Sequence, residues 1–205
     1  MHCRYGCISA LRACVADGFL QRNHKKQQDM KVCIFCSANA DIDPFFFEAT
    51  RELAQMLAEN SHSIVFGGCN MGLMECVAEA ARSAGAQTIG VIPTKVEEHG
   101  KVSGNVDVEI MCDNLNDRKA LMMAQSDIFI ALPGGIGTLD EIFTVAASAT
   151  IGYHAKKVLL YNMKGFWNPL TDMLDKLAAQ NMVRGNWRDY IVVVNNIDEI
   201  GSFLK

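Results

Sequence analysis

The apolar runs of this chain fall well short of the roughly 18 consecutive residues that a membrane-crossing helix needs, so no membrane partner is expected. Positive charge is not in excess either. Lys and Arg number 19 against 23 Asp and Glu, a net charge of −4, and they are scattered rather than striped. Nucleic acid is therefore not an expected partner. Metal-ligand spacings are also missing. The five histidines, at positions 2, 24, 62, 99 and 154, form no His-Glu-x-x-His motif, and Cys69, Cys76 and Cys112 show no ligand spacing, so no metal is expected. A disulfide framework is not supported by the eight cysteines. Cys33 and Cys36 lie in one apolar strand, where a separation of three places side chains on opposite faces. Free thiols in a reducing cytoplasm are the expectation, with a redox pair at Cys33 and Cys36 as the alternative.

What remains is an ordinary globular composition, 50% hydrophobic and 20% charged over 205 residues, enough for one domain with a sizeable core. Residues 1–29 differ from the rest: five Lys or Arg against two Asp, three cysteines, and a polar run from Gln21 to Asp29. Their apolar part is broken by Arg12 and Asp17, which makes a poor signal peptide. Met30 is the expected biological start, with residues 1–29 a disordered or non-native extension and 30–205 the folded unit.

From Met30 onward, short apolar strands alternate with helical runs. Strands are expected at 31–36, 63–66, 87–92, 106–111, 127–132, 157–161 and 190–194. Helices are expected at 44–60, after Gly72 to 84, at 114–125, 137–152, 167–180 and 197–204, with Asp43 capping the first and Pro44 at its first position. The stretch between Pro93 and Asn105 reads as a polar loop. Strands this apolar, alternating with amphipathic helices, predict an α/β fold with a Rossmann-like doubly wound parallel sheet in a single domain. Ligands of such sheets bind at the carboxyl ends of the strands near the switch in strand order.

Three loops leave strands at that edge with suitable residues: 37–39, 67–72 and 133–138. The last, Pro133-Gly134-Gly135-Ile136-Gly137-Thr138, is a glycine-rich strand-to-helix turn. Glycines let backbone approach a ligand, and the first N–H groups of the next helix are free to bind phosphate. Thr138 adds a hydroxyl. Glu141 is read as lying in that helix's first turn, where it would either favour the helix dipole or face a sugar. Gly67 and Gly72 have the outer spacing of a P-loop, but Leu73 and Met74 stand where Lys and Ser or Thr belong, so ATP hydrolysis is not expected. Gly135 and Gly137 begin a dinucleotide fingerprint that fails at Asp140, which argues against a nicotinamide dehydrogenase.

Pro133-Gly134-Gly135-Ile136-Gly137-Thr138-Leu139-Asp140-Glu141, read with Asn116-Asp117-Arg118-Lys119, resembles the paired motifs of the Lonely Guy family of cytokinin riboside 5′-monophosphate phosphoribohydrolases. Its members were often labelled lysine decarboxylases. The resemblance runs from Lys31 to Lys205 and takes in Cys33-Ile34-Phe35-Cys36-Ser37, Val65 to Met74, and Gly90-Val91-Ile92-Pro93. Cys69, Glu75 and Asp140 depart from the family's usual glycine, glycine and glutamate.

The resemblance implies hydrolysis of the N-glycosidic bond of a purine nucleoside 5′-monophosphate such as AMP, with or without an N6-prenyl group. It implies Glu141 and Arg118 as the catalytic residues and no cofactor. Gly134, Gly135, Gly137 and Thr138 would grip the phosphate, with Ser37, Gly67, Gly68, Met71 and Lys119 completing the substrate site. It also implies a homodimer. Such a bond breaks through an oxocarbenium-like state, beneath which a carboxylate belongs.

Each residue also has a plainer role. Glu141 would simply favour a helix start, Arg118 would pair with Asp117 or Asp113 on a helix surface, and Asn70 would cap the second helix. Met71, Met74, Met122 and Met123 would be core, the last two alternatively lining a base pocket. Trp167 and Trp187 read as packing. A non-catalytic nucleotide sensor is the rival function.

Overall fold

In the computed structural model, which describes residues 29–205, seven strands alternate with seven α-helices. They are β1 (Lys31–Phe35), α1 (Pro44–Glu59), β2 (Ser63–Phe66), α2 (Gly72–Ser83), β3 (Thr88–Pro93), α3 (Thr94–Glu98) and β4 (Val108–Cys112). After these come α4 (Leu115–Gln125), β5 (Ile128–Ala131), α5 (Ile136–Thr150), β6 (Val158–Tyr161), α6 (Asn168–Ala179), β7 (Ile191–Val194) and α7 (Ile197–Ser202). The extension assigned to residues 1–29 lies, but for Asp29, outside the described residues. The expected polar loop after Pro93 contains one element that was not anticipated, α3, none of whose residues is buried.

All strands pair in parallel in the order β4-β3-β2-β1-β5-β6-β7. The chain winds outward from β1 to β4, then crosses back to lay β5 against the other side of β1. In the central pairing Cys33 lies opposite both Val65 and Phe129. The loops after β1 and β5 thus leave the sheet side by side and turn to opposite faces, opening a crevice between them.

Period-two alternation in the central strands splits the core in two. Val32, Ile34 and Cys36 pack with Leu53, Leu57, Leu73 and Val77 of α1 and α2 on one face. Cys33 and Phe35 pack with Met122, Ile142, Val145, Leu170 and Leu174 of α4, α5 and α6 on the other. Full burial of side chains of this size contributes about 1.5–3 kcal/mol each. Cys33 and Cys36 lie on opposite faces, and the five described cysteines, 33, 36, 69, 76 and 112, are free and buried. The indoles serve packing: Trp167 donates to the carbonyl of Ala131 at 3.2 Å and Trp187 to Asp175 at 2.9 Å. Among the described residues no helix is long and apolar enough to cross a membrane.

The helix starts obey local chemistry. Asp43 accepts the N–H of Phe45 with Pro44 following it, and Asn114 accepts the N–H groups of Asn116 and Asp117. The two helices that open beneath glycine turns have no side-chain cap. Gly135 precedes α5 and Met71 precedes α2, so Asn70 is not the cap expected of it; its N–H donates to the carbonyl of Lys101 at 2.9 Å.

Candidate functional site

At the switch point, Ser37 is the hinge between three loops. Its N–H donates to Pro133 at 3.2 Å, its carbonyl accepts from Leu73 at 2.9 Å, and its hydroxyl accepts from Asn39 at 3.0 Å. Around it opens a cavity of about 230 Å³ whose walls include Met74, Arg118, Gly135, Gly137, Thr138 and Glu141. A second cavity of about 270 Å³ shares Ser37 and Gly135 with it and is floored by Ile42, Phe46 and Phe166. A larger crevice of about 490 Å³ between α1 and α2, beside Arg51 and Glu79, is lined by no residue of the loops 37–39, 67–72 and 133–138.

α5 points its amino terminus into the first cavity. Its first N–H groups have no intrahelical acceptor and no side-chain cap, so they are available to an anion. Gly135 and Gly137 are open on their ligand side: a Cβ added to either would meet nothing within 4 Å. Gly134 is different. A Cβ there would lie 2.1 Å from the hydroxyl oxygen of Thr138, so its bareness is what lets the Thr138 side chain fold under the turn.

One and a half turns along stands Glu141. Because α5 begins at Ile136, this residue is in the second turn rather than the first, and the plain helix-start role has no basis. Its carboxylate lies 3.6 Å from Nη2 of Arg118, both side chains being largely hidden. Burial pushes its pKa up to about 7, with the Arg118 charge opposing the rise, Asp140 adding to it and Lys119 reducing it. Arg118 does not pair with Asp117 or Asp113. Its guanidinium lies over the bare Cα of Gly67, where a Cβ would come within 1.7 Å of Nη2, and its Nε is buried with no partner. A guanidinium and a carboxylate whose pKa is pushed up by burial therefore share one cavity headed by uncapped backbone donors.

The other expected ligands are placed differently. Gly67, Gly68 and Met71 do not line the Arg118–Glu141 cavity: Gly67 seats Arg118, and Gly68, at a φ of 69°, is pressed against Ile92. Lys119 is absent from the lining too, its ammonium held by both oxygens of Asp140 at 2.8 and 2.7 Å. Of the methionines, Met122 is buried core, whereas Met74 reaches the cavity wall. Cys36, read as a free thiol or as half of a redox pair with Cys33 but not as a site residue, also lines it; its place directly after β1 was the available signal.

Fold and site together define a doubly wound α/β protein with an uncapped helix amino terminus facing a carboxylate–guanidinium pair. The family model described as "Possible lysine decarboxylase" matches residues 74–203. A relative in Oryza sativa subsp. japonica, named a probable cytokinin riboside 5′-monophosphate phosphoribohydrolase, is 37% identical over 83% of this chain and 70% of its own length. A cytokinin riboside 5′-monophosphate phosphoribohydrolase of Arabidopsis thaliana is 34% identical over 88% of this chain and 79% of its own. Among solved structures, the Moco carrier protein of Chlamydomonas reinhardtii superposes with a TM-score of 0.66 at 21% identity, covering 86% of this chain and 96% of that one, a likeness of fold alone. The chain belongs to the Lonely Guy family.

Proposed function

We propose that this protein hydrolyses the N-glycosidic bond of a purine nucleoside 5′-monophosphate, AMP or its N6-prenylated form, releasing free base and ribose 5-phosphate. The observation that carries the reading is the contact of Arg118 with a buried Glu141 directly behind the open amino terminus of α5. Membership of a family whose relatives bear phosphoribohydrolase names supports it.

The 5′-phosphate is held by backbone N–H groups at Gly135 to Thr138 and by the Thr138 hydroxyl, with Ser37 at the rim. That anchor brings the ribose over Glu141. As the bond from C1′ to the base nitrogen breaks, its electron pair leaves with the base, and the ionised carboxylate stabilises the positive charge on the ring. Glu141 also orients the water that adds to C1′ and accepts its proton, which passes to the departing base. Arg118 offers donors to the ribose or the base and favours the ionised form of Glu141 against the effect of burial. No lysine lines the cavity, and Lys119 is engaged by Asp140, so a Schiff-base decarboxylase is not supported.

The same reading places the protein in the cytoplasm as a homodimer. Buried free thiols suit a reducing compartment. Ile136, 87% exposed, and Leu115, 60% exposed, leave apolar surface at the starts of α5 and α4 that a second copy would cover. Light scattering gives the mass that tests this.

The experiment for the activity is product analysis by chromatography after incubation with AMP, prenylated AMP and adenosine. Free base from the monophosphates, and much less from adenosine, is expected, because binding energy of the phosphate is used to hold the reacting bond against Glu141. Saturable AMP binding with no base released would instead establish a nucleotide sensor.

A further inference from the structure

The reading of Arg118 and Glu141 as the catalytic pair leaves open what sets their separation. Their 3.6 Å contact is longer than a hydrogen bond, so the pair does not fix itself. Apolar packing holds α4 to the sheet through buried Met122 and partly buried Leu121 and Met123, all in its second half and beyond Arg118. At its far end Lys156 donates to the carbonyl of Met123 at 2.7 Å, five residues beyond Arg118. Gly67 gives the guanidinium a floor but no bond.

Next to the catalytic pair lies a second, tighter one. Lys119 follows Arg118 on α4, Asp140 precedes Glu141 on α5, and the ammonium meets both carboxylate oxygens at 2.8 and 2.7 Å. The Lys119 side chain is only 16% exposed, and its ammonium is spent on Asp140 rather than turned into the cavity. We propose that Lys119 and Asp140 are a positioning pair that clamps α4 to α5 and so sets the approach of Arg118 to Glu141, and that Lys119 is not a phosphate ligand. The clamp also tunes the site electrostatically. The charged groups facing Glu141 are Arg118 and Lys119 from α4 and Asp140 from its own helix; β1 and the residue after it present only the thiols of Cys33 and Cys36, and α2 presents Met74.

The test uses the full chain with Lys119→Met, Lys119→Arg, Asp140→Asn and the Lys119→Met/Asp140→Asn double variant. With AMP, each neutralising single change is expected to lower kcat roughly 10- to 100-fold, the loss that a small misalignment of catalytic groups brings, with KM within about threefold of the parent. The double variant is expected to be no worse than the weaker single, since one clamp is lost once, and Lys119→Arg is expected to recover most of the rate. A rise in KM at unchanged kcat in Lys119→Met, or losses that add in the double variant, would overturn the proposal.

A readout that simple loosening would not move comes from carbon-13 NMR titration of the Glu141 carboxyl. Lys119→Met is expected to shift its midpoint up, and so is the double variant, in which the two removed charges offset each other and the retreat of Arg118 is left as the cause of the rise. A double-variant midpoint at the parent's value would also overturn it. Release of no base from AMP by the parent protein is a separate failure, that of the hydrolase reading, and the titration still decides the clamp.

Discussion

After β2 and again after β5 the chain makes a glycine-bearing turn into an uncapped helix, yet a methyl group added to the two turns would meet very different surroundings. After β5, Gly135 and Gly137 face open space. After β2, the same addition would strike Arg118 at Gly67, Ile92 at Gly68, and the backbone of Ala38 and Asn39 at Gly72. Beyond Gly134, which seats Thr138, the first turn is open, as the proposed phosphate cradle requires. The second is bare so that the protein can pack against it, and what it seats is the arginine of the first turn's site. Glycine content alone does not distinguish a ligand cradle from a packing platform; the atoms waiting where a Cβ would go do.

Substitutions can break this contrast, beginning with the largest effect. Gly72→Ala places a side chain at a φ of 56° and within 2.5–2.8 Å of the Ala38 and Asn39 backbone, which cannot retreat. A loss of about 3–4 kcal/mol and a fall in Tm of roughly 10 °C are expected in a thermal melt.

Next comes the cavity between the two turns. The folded pKa of Glu141, about 7, lies above its ordinary 4.5. The stability associated with its protonated form is therefore fully present below pH 4.5 and is lost as pH rises through 7, on the order of 3 kcal/mol. Urea unfolding at pH 5 and pH 8 is expected to show that decline in the parent and to show it largely flattened in Glu141→Gln.

Gly67→Ala sharpens the contrast, since its target is the flexible end of Arg118 rather than backbone. Displacement of the guanidinium is expected to reduce kcat for AMP about 100-fold while Tm changes little. Gly135→Ala is the mirror case, with a smaller expected effect: stability within ~0.5 kcal/mol of the parent, and KM for AMP raised about tenfold as the methyl intrudes on the phosphate. Equal effects of the two changes on KM would erase the proposed division of labour.

The inner parallel strands were legible because burial on both faces leaves them almost purely apolar, and the turn after β5 was legible because its run of glycines between a strand and a helix is local. The element that escaped, Thr94–Glu98, buries nothing and so carries no apolar period. Asn70 misled because its type suits a cap, whereas its N–H had a non-local partner in Lys101. The seating of Arg118 on Gly67 joins residues far apart in sequence, and no spacing rule announces it. The pairing of Lys119 with Asp140 was hidden for the same reason, although both residues flank the catalytic candidates. Glu141 was read in the first turn although the expected start at 137, one residue after the observed Ile136, already puts it in the second at about 3.6 residues per turn; the turn count, not the boundary, misled.

The central claim, that an ionised Glu141 acts beneath an anchored ribose, is tested most directly by single-turnover release of adenine from AMP across pH 5 to 9, in the parent and in Glu141→Gln. The parent rate is expected to climb with pH through a midpoint near 7, and the variant to bind AMP yet release base ~10³-fold more slowly. A variant that releases base within about threefold of the parent across that range would contradict the account.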